Sequence, residues 1–534
     1  MKGFSHAARM SRPAALLTHA AIALGALLCA AVMFDTPHLV GQTMNADTLL
    51  PFSIAWDIAH QAYGWHGHEI ARIPSFLPDM TLLALLYAAA PSVAWTMLLY
   101  GAAQLLLFTW LCGALAARLS GRSFAAGCAM VFALFAILAL MERATDQLGL
   151  IPGVFIPLSH VGPFLFSLAT AWLAMRQLSA PTARRYLLLA AAATTIFLSD
   201  RLLVVELAAP LAGASAVLVF ARRLPLVRAA AILAAVSAGA CAGFLVIHFL
   251  ARAGIRFENI MPLAFADMAQ STGNFLRELP AVVVTVIPGL IAGLIIPMAA
   301  FALFPLLLRR DLRRADPQAW DRIFLWCFAA TAIAGCLMFT AAFYLDPAGY
   351  RYLIPGWVWP LIFLAALLLR LRPLARLSPL LATATACVFL FVFTGPNRAA
   401  VAVLHWDEEI ATCLRQMRAP LDLHAGLAGY WQARPIALAT GWTLQVDQIT
   451  EEGYAYAWGN DVNWYRHSLA DPKVAPDYNF IVLRRLYPDR IREMYGPPDQ
   501  VASCGDTEIW IYRTPGHLQS RLLANSPYIA DTFH

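Results

Sequence analysis

Apolar runs of about 20 residues recur along this chain, and that spacing constrains it more than any motif does, because a helix of that length spans the hydrocarbon of a bilayer. Eleven runs are assigned, at 13–34, 92–117, 123–141, 160–176, 184–199, 202–221, 226–250, 281–308, 323–344, 353–370 and 377–394. Only 13% of the 534 residues are charged, against about 25% in a soluble globular domain. The expectation is an all-α polytopic membrane domain over 1–394, with about eleven transmembrane helices and the lipid bilayer as its first partner. Of the basic residues only Lys2 and Lys473 are lysine, and most arginines flank apolar runs. That is a membrane-orientation pattern and not a phosphate-tracking patch, so no nucleic-acid partner is expected.

The positive-inside rule sets the orientation. With the N-terminus in the cytoplasm, the cytoplasmic turns carry nineteen Lys and Arg, among them Arg118, Arg122, Arg222, Arg223, Arg309, Arg310, Arg370 and Arg372. The opposite loops before residue 395 carry seven: Arg72, Arg143, Arg201, Arg252, Arg256, Arg277 and Arg351. The first run is too long for a signal-peptide core and reads as an uncleaved span. Thr81–Ala90 is apolar but too short to cross, so it reads as an interfacial or half-inserted helix. Residues 395–534 return to soluble-domain composition and are expected to form a small α/β domain on the outer side. Phe480–Leu483 and Ile509–Tyr512 read as buried strands, and Pro488–Met494 as a short helix broken at Gly496-Pro497-Pro498.

Seven of the nine cysteines lie in apolar runs. Cys413 and Cys504 lie in the polar C-terminal region, and pair as a disulfide if that region faces an oxidising compartment. The alternative is two unpaired buried thiols.

The long loop 35–79 is the most acidic feature. It holds Asp35, Asp47, Asp57, Glu69 and Asp79 against the single Arg72, with His38, His60, His66 and His68 and the tryptophans Trp56 and Trp65. Asp47 and Asp57 are ten residues apart, so a helix over 47–60 would set both on one face. A carboxylate at a low-dielectric boundary suits general-base work; the plain alternative is a solvated loop with helix-capping aspartates, and Asp79 shares both readings. The His66-Gly67-His68 spacing occurs in divalent-metal sites, but no third ligand is defined by sequence, and a polar connector is the simpler reading. Further on, Arg351 between Tyr350 and Tyr352 can contact a lipid phosphate or anionic substrate, or simply snorkel in an aromatic belt. Ser199-Asp200-Arg201, with Glu206 beyond it, is either a functional group or a structural ion pair. Gly289–Gly293 is a GxxxG packing pattern.

Asn45-Ala46-Asp47 after the first run and Arg351-Tyr352-Leu353-Ile354-Pro355 late in the membrane part resemble pieces of the GT-C glycosyltransferases, as does the overall layout of loop, spans and outer domain. That family includes protein O-mannosyltransferases and aminoarabinose transferases, and Gly426–Trp431 looks like a segment of uncharacterised bacterial relatives. The resemblance implies a bacterial inner-membrane enzyme that moves a sugar from a polyprenyl-phosphate donor to an extracytoplasmic acceptor with inversion. It implies Asp47, or Asp57, as the base, and Arg72, Arg201 and Arg351 as contacts to the leaving phosphate. Asp79, Tyr350 and Tyr352 would line the substrate site. Thr48 follows Asp47 where the mannosyltransferases carry an Asp-Glu pair, so no sugar is assigned. The competing classes are a lipid-linked glycan polymerase or ligase, and a transporter or flippase of a lipid-linked or anionic solute.

Overall fold

The computed structural model describes residues 11–60, 66–70, 74–90, 92–145, 151–179, 181–200, 202–257, 265–286, 288–313, 316, 318–344, 351–394, 401–406 and 408–530. The first run becomes α1 (Arg12–Met33), started by Ser11, whose hydroxyl accepts from the Ala14 N–H. The loop that follows carries α2 (Pro37–Thr43), α3 (Leu50–His60), the two-residue strand β1 (Glu69–Ile70) and α4 (Thr81–Ala89). At nine residues α4 reaches only about 14 Å, as its apolar length implied.

The membrane part continues through α5 (Val93–Ser120), α6 (Phe124–Thr145), α7 (Val161–Ser179), α8 (Ala183–Ser199), α9 (Ala209–Phe220), α10 (Leu226–Arg252), the strand β2 (Arg256–Phe257), α11 (Phe265–Val286), α12 (Pro288–Arg313), α13 (Ala319–Ala342), α14 (Ile354–Arg370) and α15 (Arg372–Thr394). Among the described residues, seven helices are long and apolar enough to cross a membrane: α1, α5, α6, α10, α13, α14 with its lead-in from Arg351, and α15. The other expected spans are helical as well. α7 and α8 have 19 and 17 residues. The run 202–221 yields only the 12 residues of α9, preceded by a wide π-turn at Val204–Ala208 around Glu206. The run 281–308 falls on the end of α11 and on α12, helices that carry Pro280 and Pro297 within them.

Small residues let these helices approach closely, which matters where lipid supplies no hydrophobic contrast. A Cβ on Gly127 of α6 would meet the Gly113 carbonyl of α5, and one on Gly239 of α10 would meet the Ala190 carbonyl of α8. Thr194 adds a hydrogen bond to the Gly239 carbonyl at 3.0 Å. One end of the bundle is tied by arginines: Arg118 pairs with Asp321, Arg370 with Asp311 at 2.8 Å, and Arg322 with Asp311 and Asp316 at 2.7 and 2.6 Å. At the other end Arg143 pairs with Asp35 at 2.9 Å, the Val403 amide donates to the Phe34 carbonyl, and β1 lies parallel to β2.

The C-terminal region runs α16 (Glu409–Met417), β3 (Ala425–Gly429), α17 (Tyr430–Ala439), β4 (Gln445–Ile449), β5 (Tyr478–Val482), α18 (Pro488–Tyr495), β6 (Gln500–Cys504), β7 (Thr507–Ile511) and α19 (His517–Asn525). Its sheet has the order β4-β3-β5-β7-β6, with β4, β3 and β5 parallel and β7 antiparallel to both neighbours. Every residue of β3, β4 and β5 is buried, because side chains pack on both faces. The disulfide is present: Cys413 on α16 is bonded to Cys504 on β6, with Cα atoms 5.8 Å apart. The small α/β region, the two strands and the α18 helix therefore fall where composition and pattern put them.

Candidate functional site

After α2 the chain turns sharply at Asn45, whose side-chain oxygen accepts from the Asp47 and Thr48 amides at 2.9 and 3.1 Å. This Asx turn uses amide hydrogens that a helix would need. The helix therefore starts at Leu50, and Asp47 stands before it instead of sharing a face with Asp57. Asp47 is half-buried, and its carboxylate accepts from the Tyr430 hydroxyl at the start of α17. Tyr430 is packed edge-on against Trp431 and Trp458, with centroids 5.0 and 5.1 Å away. Burial pushes the Tyr430 hydroxyl far up, so it stays a donor at any physiological pH.

Arg434 lies one turn after Tyr430 on the same face of α17. Only 4% exposed, it donates to the carbonyls of Ala46 and Gly459 and, at 3.1 Å, to the Ser53 hydroxyl. One guanidinium thus holds both sides of the Asp47 turn to the C-terminal region. Trp56 of α3 completes this contact by stacking on Trp442 at 5.0 Å.

A second group lies at the far end of the loop. Asp57 of α3 and Asp461 are fully buried, and His68 is 2% exposed. His68 Nε2 is 2.8 Å from Asp57 Oδ2 and 3.7 Å from Asp461 Oδ2. Trp464 Nε1 donates to Asp57 Oδ1 at 3.0 Å, and the Asn463 amide donates to Asp461 Oδ1 at 2.8 Å. Backbone pairing brings these residues together: the Glu69 amide donates to the Asn460 carbonyl, and the Val462 amide to the Gly67 carbonyl. Gly67 has φ +94°, and a Cβ there would strike the side chains of Asp461 and Asn463. Burial works to raise the Asp57 carboxyl, but hydrogen bonds from His68, Asp461 and Trp464 outweigh it and hold the group below its ordinary value. Burial and the adjacent Asp57 push Asp461 well up. The one-ligand atoms of Asp57, His68 and Asp461 lie within 4.8 Å of one another, and this group could hold a metal.

A third group gathers at the same end of the bundle. Asp79 is fully buried, accepting from the Tyr100 hydroxyl at 2.7 Å and the Leu158 amide at 3.0 Å. His160 Nδ1 is 2.6 Å from Asp200 Oδ2, and its ring lies 4.8 Å from that of Tyr352. Arg351 is exposed and sits over the Tyr352 ring with a 3.3 Å contact to its hydroxyl. Glu206 is 1% exposed, with neither carboxylate oxygen bonded among the described residues.

Asp47, Asp57, Asp79, Arg351 and Tyr352 are thus placed, on three separate groups of partners. Arg72, Arg201 and Tyr350 lie outside the described residues. Sequence reading missed Tyr430, Arg434, His160, Asp461 and Trp464. Tyr430 and Arg434 do carry a signal, the i,i+4 spacing in a short helix after an apolar strand. Asp461 and Trp464 carry none, since their partners lie in the first loop. No family model and no curated protein matches the chain.

Proposed function

We propose that the protein is a membrane glycosyltransferase of the GT-C type, transferring a sugar from a polyprenyl-phosphate donor to an extracytoplasmic acceptor in the cell envelope. The observation that carries this reading is the contrast among the first-loop carboxylates. Asp57 and Asp79 are wholly buried and bonded, and Asp35 is paired with Arg143. Asp47 alone of these four aspartates is half-exposed without a cationic partner among the described residues, at the junction of membrane part and C-terminal region.

In this reading Asp47 takes the proton of an acceptor hydroxyl or amine as that atom attacks the anomeric carbon. The bond from that carbon to the phosphate oxygen breaks through an oxocarbenium-like transition state, and inversion follows from the single displacement. The departing phosphate gains negative charge, which an exposed arginine such as Arg351 offsets. Tyr430 orients the Asp47 carboxylate, and the C-terminal region supplies the acceptor side. The N-terminus is cytoplasmic in this scheme, and the first loop and C-terminal region are periplasmic.

The ionisable group of Asp200, His160 and Glu206 near membrane depth favours a second reading, a transporter of a lipid-linked or anionic solute. Purified protein incubated with labelled polyprenyl-phosphate sugars and envelope acceptors separates the classes. Single-sugar transfer supports the proposal; polymer formation points to a polymerase or ligase. Movement of label across a proteoliposome without a new glycosidic bond points to a transporter.

A further inference from the structure

We propose that Asp57, His68 and Asp461 form a structural transition-metal site that clamps the first loop to the C-terminal region. The two carboxylates are arranged alike. Each has its Oδ1 engaged from behind, Asp57 by the Trp464 indole at 3.0 Å and Asp461 by the Asn463 amide at 2.8 Å. Each turns its Oδ2 toward the same nitrogen, His68 Nε2, at 2.8 and 3.7 Å. That nitrogen carries at most one proton and can satisfy one oxygen. Asp57 takes it, and among the described residues Asp461 Oδ2 faces no N–H donor, only the neighbouring Asp57 carboxylate. A buried carboxylate oxygen turned toward a second carboxylate is costly and calls for an explanation.

A divalent cation supplies one. Its bonds of about 2.0–2.2 Å set neighbouring ligand atoms about 3–3.5 Å apart, close to the spacings found here. Two positive charges balance two carboxylates, and His68 donates a lone pair in place of a proton. The imidazole selects against magnesium and calcium and toward zinc or a similar first-row ion. The Trp464 and Asn463 contacts fix carboxylate orientation, as outer hydrogen bonds to metal ligands do. Burial of all three side chains makes this a holding site and not a place where substrate reacts. The ion would join α3, the turn before β1 and the C-terminal region in one node. The inference does not depend on the chemistry proposed for Asp47.

The test uses full-length protein in detergent, with any polyhistidine tag removed, stripped with chelator and then dialysed against zinc or cobalt. The expected result is one tightly held ion per chain by elemental analysis. The cobalt form should show the visible absorption of a nitrogen–oxygen site, and metal should raise the melting temperature. Asp461→Asn keeps the Oδ1 acceptor for Asn463 and should lose the ion and the metal-dependent rise, as should His68→Gln. Wild-type protein that binds no ion after dialysis, or whose melting is indifferent to metal, overturns the proposal whatever the variants do. Full metal retention by Asp461→Asn and His68→Gln overturns it as well.

Discussion

Arg434 shows how much of this molecule rests on single polar side chains. It is buried and holds the Ala46 and Gly459 carbonyls and the Ser53 hydroxyl. Arg434→Leu keeps the volume but leaves those acceptors unpaired. We expect it to weaken docking of the first loop by about 3 kcal/mol, seen as faster proteolysis between α2 and α3. Arg434→Lys should rescue little, since an ammonium cannot reproduce the fork. Asp447 gives a pH-dependent counterpart. It is 1% exposed in β4 and accepts from Tyr478 and from Gln445, the latter at 2.7 Å, while its Oδ1 has no hydrogen-bond partner among the described residues. Burial pushes its carboxyl up to about 7 despite those two bonds. A raised acid pKa means that the folded state binds the proton more tightly than the unfolded chain. The stability this adds is complete below the unfolded value and is lost as pH rises through about 7. The melting temperature of the wild type should therefore fall across that range, and Asp447→Asn should flatten the fall. An unchanged slope in the variant would show that the carboxyl does not carry it.

At the scale of elements, the helix pairs α5/α6 and α8/α10 meet through glycine. Gly127→Leu would drive a side chain into the Gly113 carbonyl, which is backbone and cannot move aside cheaply. A loss of about 1–3 kcal/mol is expected, visible as lower thermal stability in detergent, whereas Gly273→Leu, with open space around it, should be nearly neutral. The first loop shows what a sequence discloses and what it withholds. Its acidity, length and position after the first span marked it as unusual. The sequence allows a helix over 47–60, but α3 starts at Leu50, since Asn45 diverts the Asp47 and Thr48 amides into a turn. His68 read as part of a polar connector because its second acidic neighbour, Asp461, lies in the C-terminal region; likewise Asp57 and Trp464 are separated by 407 residues and Tyr430 and Asp47 by 383. Contacts at that range leave no local period. Strands β5 and β7 were legible because short β-branched and aromatic runs between turn residues suit only a buried sheet. The helices α7, α8 and α9 were legible as apolar helices, whereas the end of α8 at Ser199 and the start of α9 at Ala209 fall beside Asp200 and the wide turn around Glu206.

For the whole molecule, the proposed topology has eleven spans, an odd number, and so sets the start of α1 and the C-terminal region on opposite sides of the membrane. In that proposal the C-terminal region is periplasmic, and the Cys413–Cys504 bridge fits an oxidising compartment. A phosphatase reporter fused after residue 534 should be active; activity of a cytoplasm-dependent reporter there would reverse the orientation. The bridge closes a loop of 91 residues, so Cys413→Ser with Cys504→Ser should cost about 4 kcal/mol, read as earlier melting of the C-terminal region. The account centres on Asp47, the half-exposed carboxylate held by Tyr430. The most direct measurement is the rate of sugar transfer from a labelled polyprenyl phosphate by reconstituted wild type and Asp47→Asn, matched for melting temperature. A loss of about 100- to 10,000-fold in the variant is the predicted result; transfer by Asp47→Asn at the wild-type rate, or none by the wild type with any donor, would contradict the account.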